Sequence, residues 1–135
     1  MKSVFADTWF FQALLSERDK HHGEVVRYLE DFDDFLVTTR WVLAETANAA
    51  SGSAYREQAA QFLVSVEQDT NIIIAKESDS LYQRGMKLYI ARSDKHWSLT
   101  DCISFVVMQD QEITDALTGD HHFEQAGFRP LFAGN

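Results

Sequence analysis

The chain has 135 residues, a formal net charge of -9, a single cysteine and a single proline. A chain of this length can bury about two-thirds of the surface that its unfolded state exposes, so it can fold without disulfides or a structural metal. The lone cysteine excludes an internal disulfide, and the acidic balance argues against a protein that grips nucleic acid by bulk electrostatics. We therefore expect one globular domain over residues 1–135, located in the reducing cytoplasm.

The amino-terminal stretch MKSVFADTWFF has one early lysine, and Asp7 interrupts its apolar run. This run is too short for a secretion signal or a membrane-spanning helix. We expect it to form the first strand, SVFA at residues 3–6, and we expect no association with a membrane.

Short apolar runs that suit buried strands recur along the chain, and helical patterns separate them. After the first strand, Thr8 is expected to cap one helix, while Val25, Val26 and Leu29 mark a second at helical spacing. The predicted strands are SVFA (3–6), FLVTT (35–39), NIIIA (71–75), ITDAL (113–117) and RPLF (129–132). The later predicted helices are WVLAETANAA (41–50), YREQAAQFLVSVEQ (55–68), SDSLYQRGMKLYIAR (78–92) and SLTDCISFVVMQD (98–110).

Strands alternate with helices throughout, which is typical of a mainly parallel sheet covered by helices on both faces. We therefore predict an α/β fold with three α/β/α layers and a central, mainly parallel sheet of four or five strands. In such sheets ligands bind beyond the carboxyl ends of the strands, where the strand order reverses. This rule directs attention to acidic residues that follow strands.

Two aspartates follow predicted strands. Asp7 comes directly after SVFA, and Asp120 comes after ITDAL and the short loop of Thr118 and Gly119. Strand-end geometry sends both side chains to the same edge of the sheet. Each aspartate also has a purely structural explanation, because it is suited to cap the helix that follows it.

Two further acids lie on helices that begin near this edge. Glu45 shares an apolar helical stripe with Trp41 and Val42, where a lone carboxylate needs a hydrogen-bond partner or a cation. Its structural alternative is an ion pair with a base such as Arg40. Asp101 lies in the first turn of a predicted helix, where the helix dipole alone gives a sufficient reason for an acid.

Four carboxylates in one crevice repel one another, which raises their pKa values and destabilises the fold unless a cation compensates. An all-oxygen site with open water positions suits Mg²⁺ or Mn²⁺. These ions bind phosphate oxygens and activate water for attack on phosphorus. The acids therefore predict a divalent-metal site and phosphodiester hydrolysis.

Four segments, VFADTWFF, WVLAE, SLTDC and ALTGDHHFEQAGF, resemble the four acidic motifs of PIN-domain nucleases, including VapC-type toxins. The resemblance spans nearly the whole chain and implies a PIN-like fold. It implies that four acids hold Mg²⁺ or Mn²⁺, and that two hydroxyls support the metal and its water. The acids are Asp7, Glu45, Asp101 and Asp120, and the hydroxyls belong to Thr8 and Thr118.

The same resemblance implies an endoribonuclease directed at single-stranded RNA, the toxin of a toxin–antitoxin pair that a small antitoxin protein inhibits. Apolar helical faces additionally predict a homodimer. Four basic residues between positions 84 and 95 form one concentrated group, which is either a solvated helix surface or a guide for the RNA strand, and Arg40 is a separate candidate. The candidate RNA-binding residues are Arg40, Arg84, Lys87, Arg92 and Lys95.

Two histidine pairs, His21–His22 and His121–His122, do not predict zinc. Adjacent side chains on a helix diverge by about a quarter turn, and no Cys/His spacing completes a site. We expect both pairs to be exposed to solvent, with phosphate binding by His122 as the alternative. Cys102 lies in an apolar helical series, which predicts a buried thiol rather than a nucleophile.

Two other functions fit acids at a strand edge. A phosphoacceptor signalling domain also binds Mg²⁺ there, but such domains usually have an acidic pair after the first strand and a late-strand lysine. This chain has a single Asp7 and the segment FRPLF at those places. The other alternative is a non-catalytic interaction module that keeps its acids for metal-supported folding.

Overall fold

The computed structural model of the protein describes residues 1–134 and shows a five-stranded sheet within them. The strands are β1 (Ser3–Ala6), β2 (Phe35–Thr38), β3 (Ile72–Ile74), β4 (Asp115–Leu117) and β5 (Arg129–Pro130). Their spatial order is β3-β2-β1-β4-β5, and every neighbouring pair is parallel. All five predicted strands are confirmed, and the last four have narrower bounds than predicted.

Helices cover the sheet in two layers, which confirms the predicted α/β/α architecture. The helices are α1 (Thr8–Leu15), α2 (His22–Glu30), α3 (Arg40–Ala50), α4 (Arg56–Gln68), α5 (Asp79–Ala91), α6 (Leu99–Asp110) and α7 (His121–Gln125). Helix α1 packs against α2 and α3, α3 packs against α4, and α6 packs against both α5 and α7. None of the helices within residues 1–134 combines the length and apolar character needed to cross a bilayer.

The helix starts show how acids enter the local structure. Asp7, rather than the predicted Thr8, stands at the cap position of α1, because its backbone is still extended where β1 ends. The Asp7 side chain makes no capping hydrogen bond there. Ser98 and Asp101 form a reciprocal capping box at the start of α6, and Asp120 accepts the His122 N–H at the start of α7.

The core lies at the centre of the sheet and along α6. Val4, Phe5 and Ala6 of β1 have no solvent exposure, as expected for a central parallel strand that is covered on both faces. Helix α6 is buried continuously from Asp101 to Met108. The predicted burial of Cys102 is confirmed, and burial raises the pKa of its thiol to about 11.

The strand order places the carboxyl ends of β1 and β4 side by side. The chain builds β1, β2 and β3 in one direction across the sheet and then returns to add β4 on the other side of β1. The order therefore reverses between β1 and β4, which is where an open parallel sheet forms its ligand crevice. Asp7 follows one of these strands, and the loop that carries Thr118 and Asp120 follows the other.

Gly85 allows α5 and α6 to approach closely. A Cβ at this position would overlap the Ile103 side chain and lie 3.3 Å from the Ile103 Cα. Overpacking costs about 1–3 kcal/mol and opposes a helix-propensity gain of about 1 kcal/mol. We expect Gly85→Ala to lower the free energy of unfolding by about 1 kcal/mol or more, measured by urea denaturation.

The matched control for this measurement is Gly52→Ala. Nothing lies within 4 Å of a Cβ at Gly52, so this substitution should leave stability within about 0.5 kcal/mol of wild type. Equal unfolding free energies for the two variants would contradict the close packing of α5 on α6.

Candidate active site

Asp7 is held at the end of β1 by the start of α1. Its backbone carbonyl accepts the N–H groups of Phe10 and Phe11, at 3.0 and 3.4 Å, and these bonds anchor the first turn of the helix. The residue is only 4% exposed. Its carboxylate is therefore fixed beneath the surface, at the edge where the strand order reverses.

Thr118 joins the ends of β1 and β4. Its hydroxyl donates to Asp7 Oδ2 at 3.1 Å and accepts the Asp120 N–H at 3.0 Å. Thr118 is fully buried, so neither bond competes with bulk water. One side chain thus contacts two of the predicted acids, the carboxylate of Asp7 and the backbone of Asp120.

Asp101 reaches the same place from the first turn of α6. Its Oδ2 accepts the Ser98 N–H at 3.1 Å as part of the capping box, and the same oxygen lies 3.0 Å from His122 Nδ1. The Asp101 side chain is 10% exposed. The capping box explains an acid at this position, and it also orients the Asp101 carboxylate toward the strand ends.

Three of the four predicted acids meet in one cluster. Asp7, Asp101 and Asp120 each offer one carboxylate oxygen, and these atoms all lie within 4.8 Å of one another. They line an open cleft of about 380 Å³, which Thr8 and Glu45 also line. Glu45 also lines this cleft. Within residues 1–134, however, the tight group, in which the ligand atoms lie within 4.8 Å of one another, contains the three aspartates and not Glu45.

Burial and mutual repulsion act strongly on this cluster. Burial, reinforced by the charge of Asp101 nearby, raises the pKa of Asp7 to about 7. Burial also raises the pKa of Asp101, although hydrogen bonds from Ser98 and His122 oppose the shift. A cation in the cleft would relieve both effects, because it favours the charged form of each carboxylate.

The donor set of the cleft fits a hard divalent cation. The three clustered donors are carboxylate oxygens, the ligand type that Mg²⁺ and Mn²⁺ prefer. Thr8 adds an independent observation, because its buried Oγ1 has no hydrogen-bond partner among residues 1–134. A buried hydroxyl without a partner is costly, and a hydrated metal or a phosphate in the cleft would satisfy it.

Glu45 is half-buried on α3 and does not form the ion pair that was its structural alternative. Arg40 instead contacts Glu67 at 2.9 Å and Glu77 at 3.0 Å. The pairing of Arg40 with Glu45 is therefore wrong, because the arginine turns toward α4 and the start of α5. Glu45 instead lines the acidic cleft, and its role there stays a prediction.

The predicted RNA-binding residues do not form one open basic surface. Besides Arg40, Arg84 pairs with Asp110 at 2.7 Å and Arg92 pairs with Asp94 at 3.0 Å. The Arg92 guanidinium also lies 5.1 Å from the centre of the Trp97 ring.

The two predicted lysines differ in exposure. Lys87 is exposed on α5, and Lys95 is half-buried beside His96 of the cleft. Their role in binding RNA stays a prediction.

His122 lines the cleft, although the sequence offered a role at the site only as the alternative to solvent exposure. Its side chain is 19% exposed, and His21 and His22 are also half-buried, so the expected solvent exposure is wrong for these three histidines and holds for His121. Its Nδ1 lies 3.0 Å from Asp101 Oδ2 and 3.3 Å from Asp120 Oδ2, between two members of the cluster. The only signal in the sequence was its position two residues after Asp120.

Gly119 and Trp9 shape the wall of the cleft. A Cβ at Gly119 would lie 2.6 Å from the Trp9 ring, so only glycine lets the loop after β4 pack on this indole. Two aromatic rings also lie against the indole, those of His21, with ring centres 4.8 Å apart, and Phe132, at 5.4 Å. This packing holds Trp9 as a fixed wall element of the cleft.

A sequence model of the PIN domain family matches residues 4–129 of the chain. The chain belongs to the PIN domain family. The predicted membership is thus confirmed, and with it the PIN-like α/β/α fold. The three-acid cluster at the switch between β1 and β4 is the site that this PIN domain presents.

Known proteins resemble this PIN domain over most of its length. It is 27% identical over 128 residues to "23S rRNA-specific endonuclease VapC20" from two Mycobacterium tuberculosis strains, covering 93% of this chain and 95% of the relative. The crystal structure of M. tuberculosis VapC20, described as a Sarcin-Ricin loop cleaving toxin, has a TM-score of 0.85 at 25% identity. That match covers 93% of this chain and 95% of VapC20.

A chain from a toxin–antitoxin complex of Klebsiella pneumoniae shares the fold. It has a TM-score of 0.61 at 18% identity, and the match covers 87% of each chain. The α/β/α arrangement is therefore common to chains whose sequences have diverged widely.

The position of Asp7 makes the stability of the metal-free PIN domain depend on pH. Its pKa of about 7 exceeds the ordinary value of 3.8, so between these values the folded chain keeps a proton that the unfolded chain has lost. This contribution to stability is complete at low pH and is lost as the pH rises toward 7. Asp7→Asn should remove this loss of stability. We expect its free energy of unfolding to exceed that of wild type by up to about 4 kcal/mol near pH 8.

The measurement is denaturant unfolding in the presence of a chelator at about pH 4.5 and about pH 8. Asp110→Asn is the control, because Asp110 is exposed and its pKa is lowered by its hydrogen bonds with Arg84. If Asp7→Asn differs from wild type by the same amount at both pH values, the raised pKa of Asp7 is contradicted.

Proposed function

We propose that this PIN domain is a metal-dependent endoribonuclease that hydrolyses phosphodiester bonds of single-stranded RNA. The observation that carries the proposal is the meeting of Asp7, Asp101 and Asp120 in one open cleft, within a 4.8 Å group of ligand atoms. The description of VapC20 as an endonuclease specific for 23S rRNA supports RNA as the substrate. The cleft is open to solvent at the sheet edge, which suits an extended polymer.

We propose that Asp7, Asp101 and Asp120 hold Mg²⁺ or Mn²⁺. When bound, the ion supplies Lewis-acid stabilisation of the scissile phosphate and lowers the pKa of water. The buried Thr118 hydroxyl positions Asp7 and the backbone of Asp120 for this task. The all-oxygen donor set and the raised pKa of Asp7 support a hard cation as the missing partner.

Two further residues that line the cleft, Glu45 and Thr8, have supporting roles in this proposal. Glu45 lies outside the tight group, so its carboxylate is available to orient the attacking water and to accept its proton. Thr8 donates its otherwise unpartnered Oγ1–H to a phosphate oxygen or to an ordered water in the cleft. Both roles place a protein group beside the reacting phosphate rather than on the metal alone.

We further propose that residues 1–135 act as one nuclease domain with a small antitoxin protein as its inhibitor. The description of VapC20 as a toxin supports this partner. Co-purification with a small protein encoded beside this chain, together with loss of RNA cleavage, would test it. The predicted homodimer is supported by exposed apolar side chains on α5, such as Tyr89 and Ile90, and sedimentation equilibrium would test it.

Family membership favours a nuclease over a phosphoacceptor domain. The non-catalytic alternative makes a different prediction for the same assay, because it requires metal binding without any RNA turnover. An RNA cleavage assay therefore separates the nuclease from the non-catalytic module.

Asp101→Asn is the most direct test of the chemistry. It keeps the shape of the side chain while removing the charge that a metal needs. Loss of an outer-sphere partner costs about 10–100-fold in metal affinity or activity, so loss of a direct ligand should cost more than about 100-fold. We expect wild type to cleave single-stranded RNA and 23S rRNA with Mg²⁺ or Mn²⁺, and this variant to lose the activity in a gel-based assay.

Asp110→Asn is the matched control, because it makes the same change of charge on the same helix. It removes one carboxylate from the last residue of the same helix, outside the cleft, and should retain wild-type activity. Cleavage that persists in a chelator, or full activity in Asp101→Asn, would reject the metal-dependent reaction.

Thr8→Val separates a role in the reaction from a role in stability. Because the Thr8 hydroxyl has no partner among residues 1–134, the isosteric valine breaks no hydrogen bond in the protein. We expect an unfolding free energy at or slightly above the wild-type value and RNA cleavage slowed by about tenfold. Thr118→Val should instead lower both quantities, because it breaks two buried hydrogen bonds. A wild-type rate in Thr8→Val would remove Thr8 from the reaction.

A further inference from the structure

The two histidine pairs of the chain have different surroundings. His21 Nδ1 contacts Glu24 at 2.5 Å, and His22 Nδ1 lies 2.8 Å from the carbonyl oxygen of Ala13. These two ring nitrogens are therefore directed at separate partners. The pair at the start of α7 behaves differently, because both of its rings turn toward one carboxylate.

His121 and His122 converge on Asp120. Their Nδ1 atoms lie 3.7 Å from Asp120 Oδ1 and 3.3 Å from Asp120 Oδ2, respectively, and the two ring centres are 4.7 Å apart. The expected divergence of these adjacent side chains is wrong. Asp120 accepts the backbone N–H of His122 at 2.9 Å at the start of α7, and this bond holds its carboxylate near both rings.

We infer that Asp120, His121 and His122 form a binding site for a borderline transition metal, with Zn²⁺ as the ion. Each of the three residues offers one ligand atom, and these atoms lie within 4.8 Å of one another. Zn²⁺ binds imidazole nitrogen and carboxylate oxygen at about 2.0–2.2 Å, commonly with three protein ligands and a water. Tetrahedral ligands at that range are about 3.3 Å apart. The two histidine–Asp120 distances, 3.7 and 3.3 Å, are near this value, although they run to different oxygens of the carboxylate.

The chemistry of the donors separates this site from the acidic cluster. Two imidazoles and one carboxylate select Zn²⁺ over Mg²⁺ and Mn²⁺, because nitrogen donors favour ions later in the first-row series. His121 is 73% exposed, so its ring is free to adjust to the ion. Cys102 does not compete for zinc as a ligand, since its thiol is buried and the pKa of that thiol is raised.

The zinc site shares a residue with the proposed magnesium site. Asp120 belongs both to the group with Asp7 and Asp101 and to the group with the two histidines. Zinc held at Asp120 and His122 therefore draws this carboxylate away from the acidic cluster. It also draws the His122 ring from Asp101 Oδ2, its neighbour at 3.0 Å. On the proposed nuclease function, occupancy of the zinc site inhibits RNA cleavage.

The first test measures zinc binding directly and does not depend on nuclease activity. Isothermal titration calorimetry with ZnCl₂ is performed on the full-length wild type, on His121→Ala and on His21→Ala. We expect His121→Ala to weaken zinc binding by about tenfold or more, as loss of a ligand should exceed loss of a supporting group. His21→Ala removes one imidazole from the other pair and should bind zinc like wild type. Equal zinc affinity in wild type and His121→Ala overturns the site.

The second test measures inhibition. ZnCl₂ is titrated into cleavage of single-stranded RNA supported by Mg²⁺, with wild type and His121→Ala. Both proteins should have the same rate without zinc, and His121→Ala should need about tenfold more zinc for half inhibition, in proportion to its weaker binding. Identical inhibition curves overturn the coupling between the two metal sites. If no protein cleaves RNA, the nuclease proposal fails, and the calorimetry alone decides whether zinc binds.

Discussion

The repulsion between buried carboxylates is the constraint on which the site depends. Asp7 and Asp101 are almost fully buried, and with Asp120 they bring oxygens within 4.8 Å of one another. A protein that only needed stability would not keep such a group, because each charge loses hydration and opposes the next. The rise in the pKa of Asp7 to about 7 is the direct expression of that conflict. A divalent cation, as in the proposed function, would relieve this conflict, because it favours the charged form of each carboxylate.

The structural and functional explanations of these acids are complementary. Asp101 closes a capping box with Ser98, and Asp120 caps α7 through the His122 N–H. Each hydrogen bond holds one oxygen of the carboxylate and so fixes the direction in which the carboxylate points. The other lone pairs of its oxygens stay free to bind a cation. The Thr118 hydroxyl does the same for Asp7. Helix capping is thus the means by which flexible acidic side chains are pre-oriented for metal chemistry.

Small groups around the cluster are as constrained as the acids themselves. Gly119 lies against the Trp9 ring, where a Cβ would be only 2.6 Å from the indole. The loop that carries Thr118 and Asp120 is therefore positioned by packing as well as by hydrogen bonds. Basic side chains contribute less than their number in the sequence suggests, because the Arg84 and Arg92 guanidinium groups already pair with carboxylates of the chain. On the proposed function, binding of RNA by this acidic protein would therefore rest on the metal and on local contacts in the cleft.

The amino-acid sequence by itself determined the alternation of strands and helices, the acids at strand ends and the PIN resemblance. These features are local, since hydrophobic period, capping residues and residues after a strand are all set by neighbours along the chain. Only the tertiary structure decided that Glu45 stands outside the tight group, that Arg40 turns to Glu67 and Glu77, and that the α7 histidines converge on Asp120. The Glu45 and Arg40 outcomes depend on the approach of elements far apart in sequence. The histidine outcome depends on side-chain rotamers fixed by packing and hydrogen bonding, which spacing along the chain does not specify.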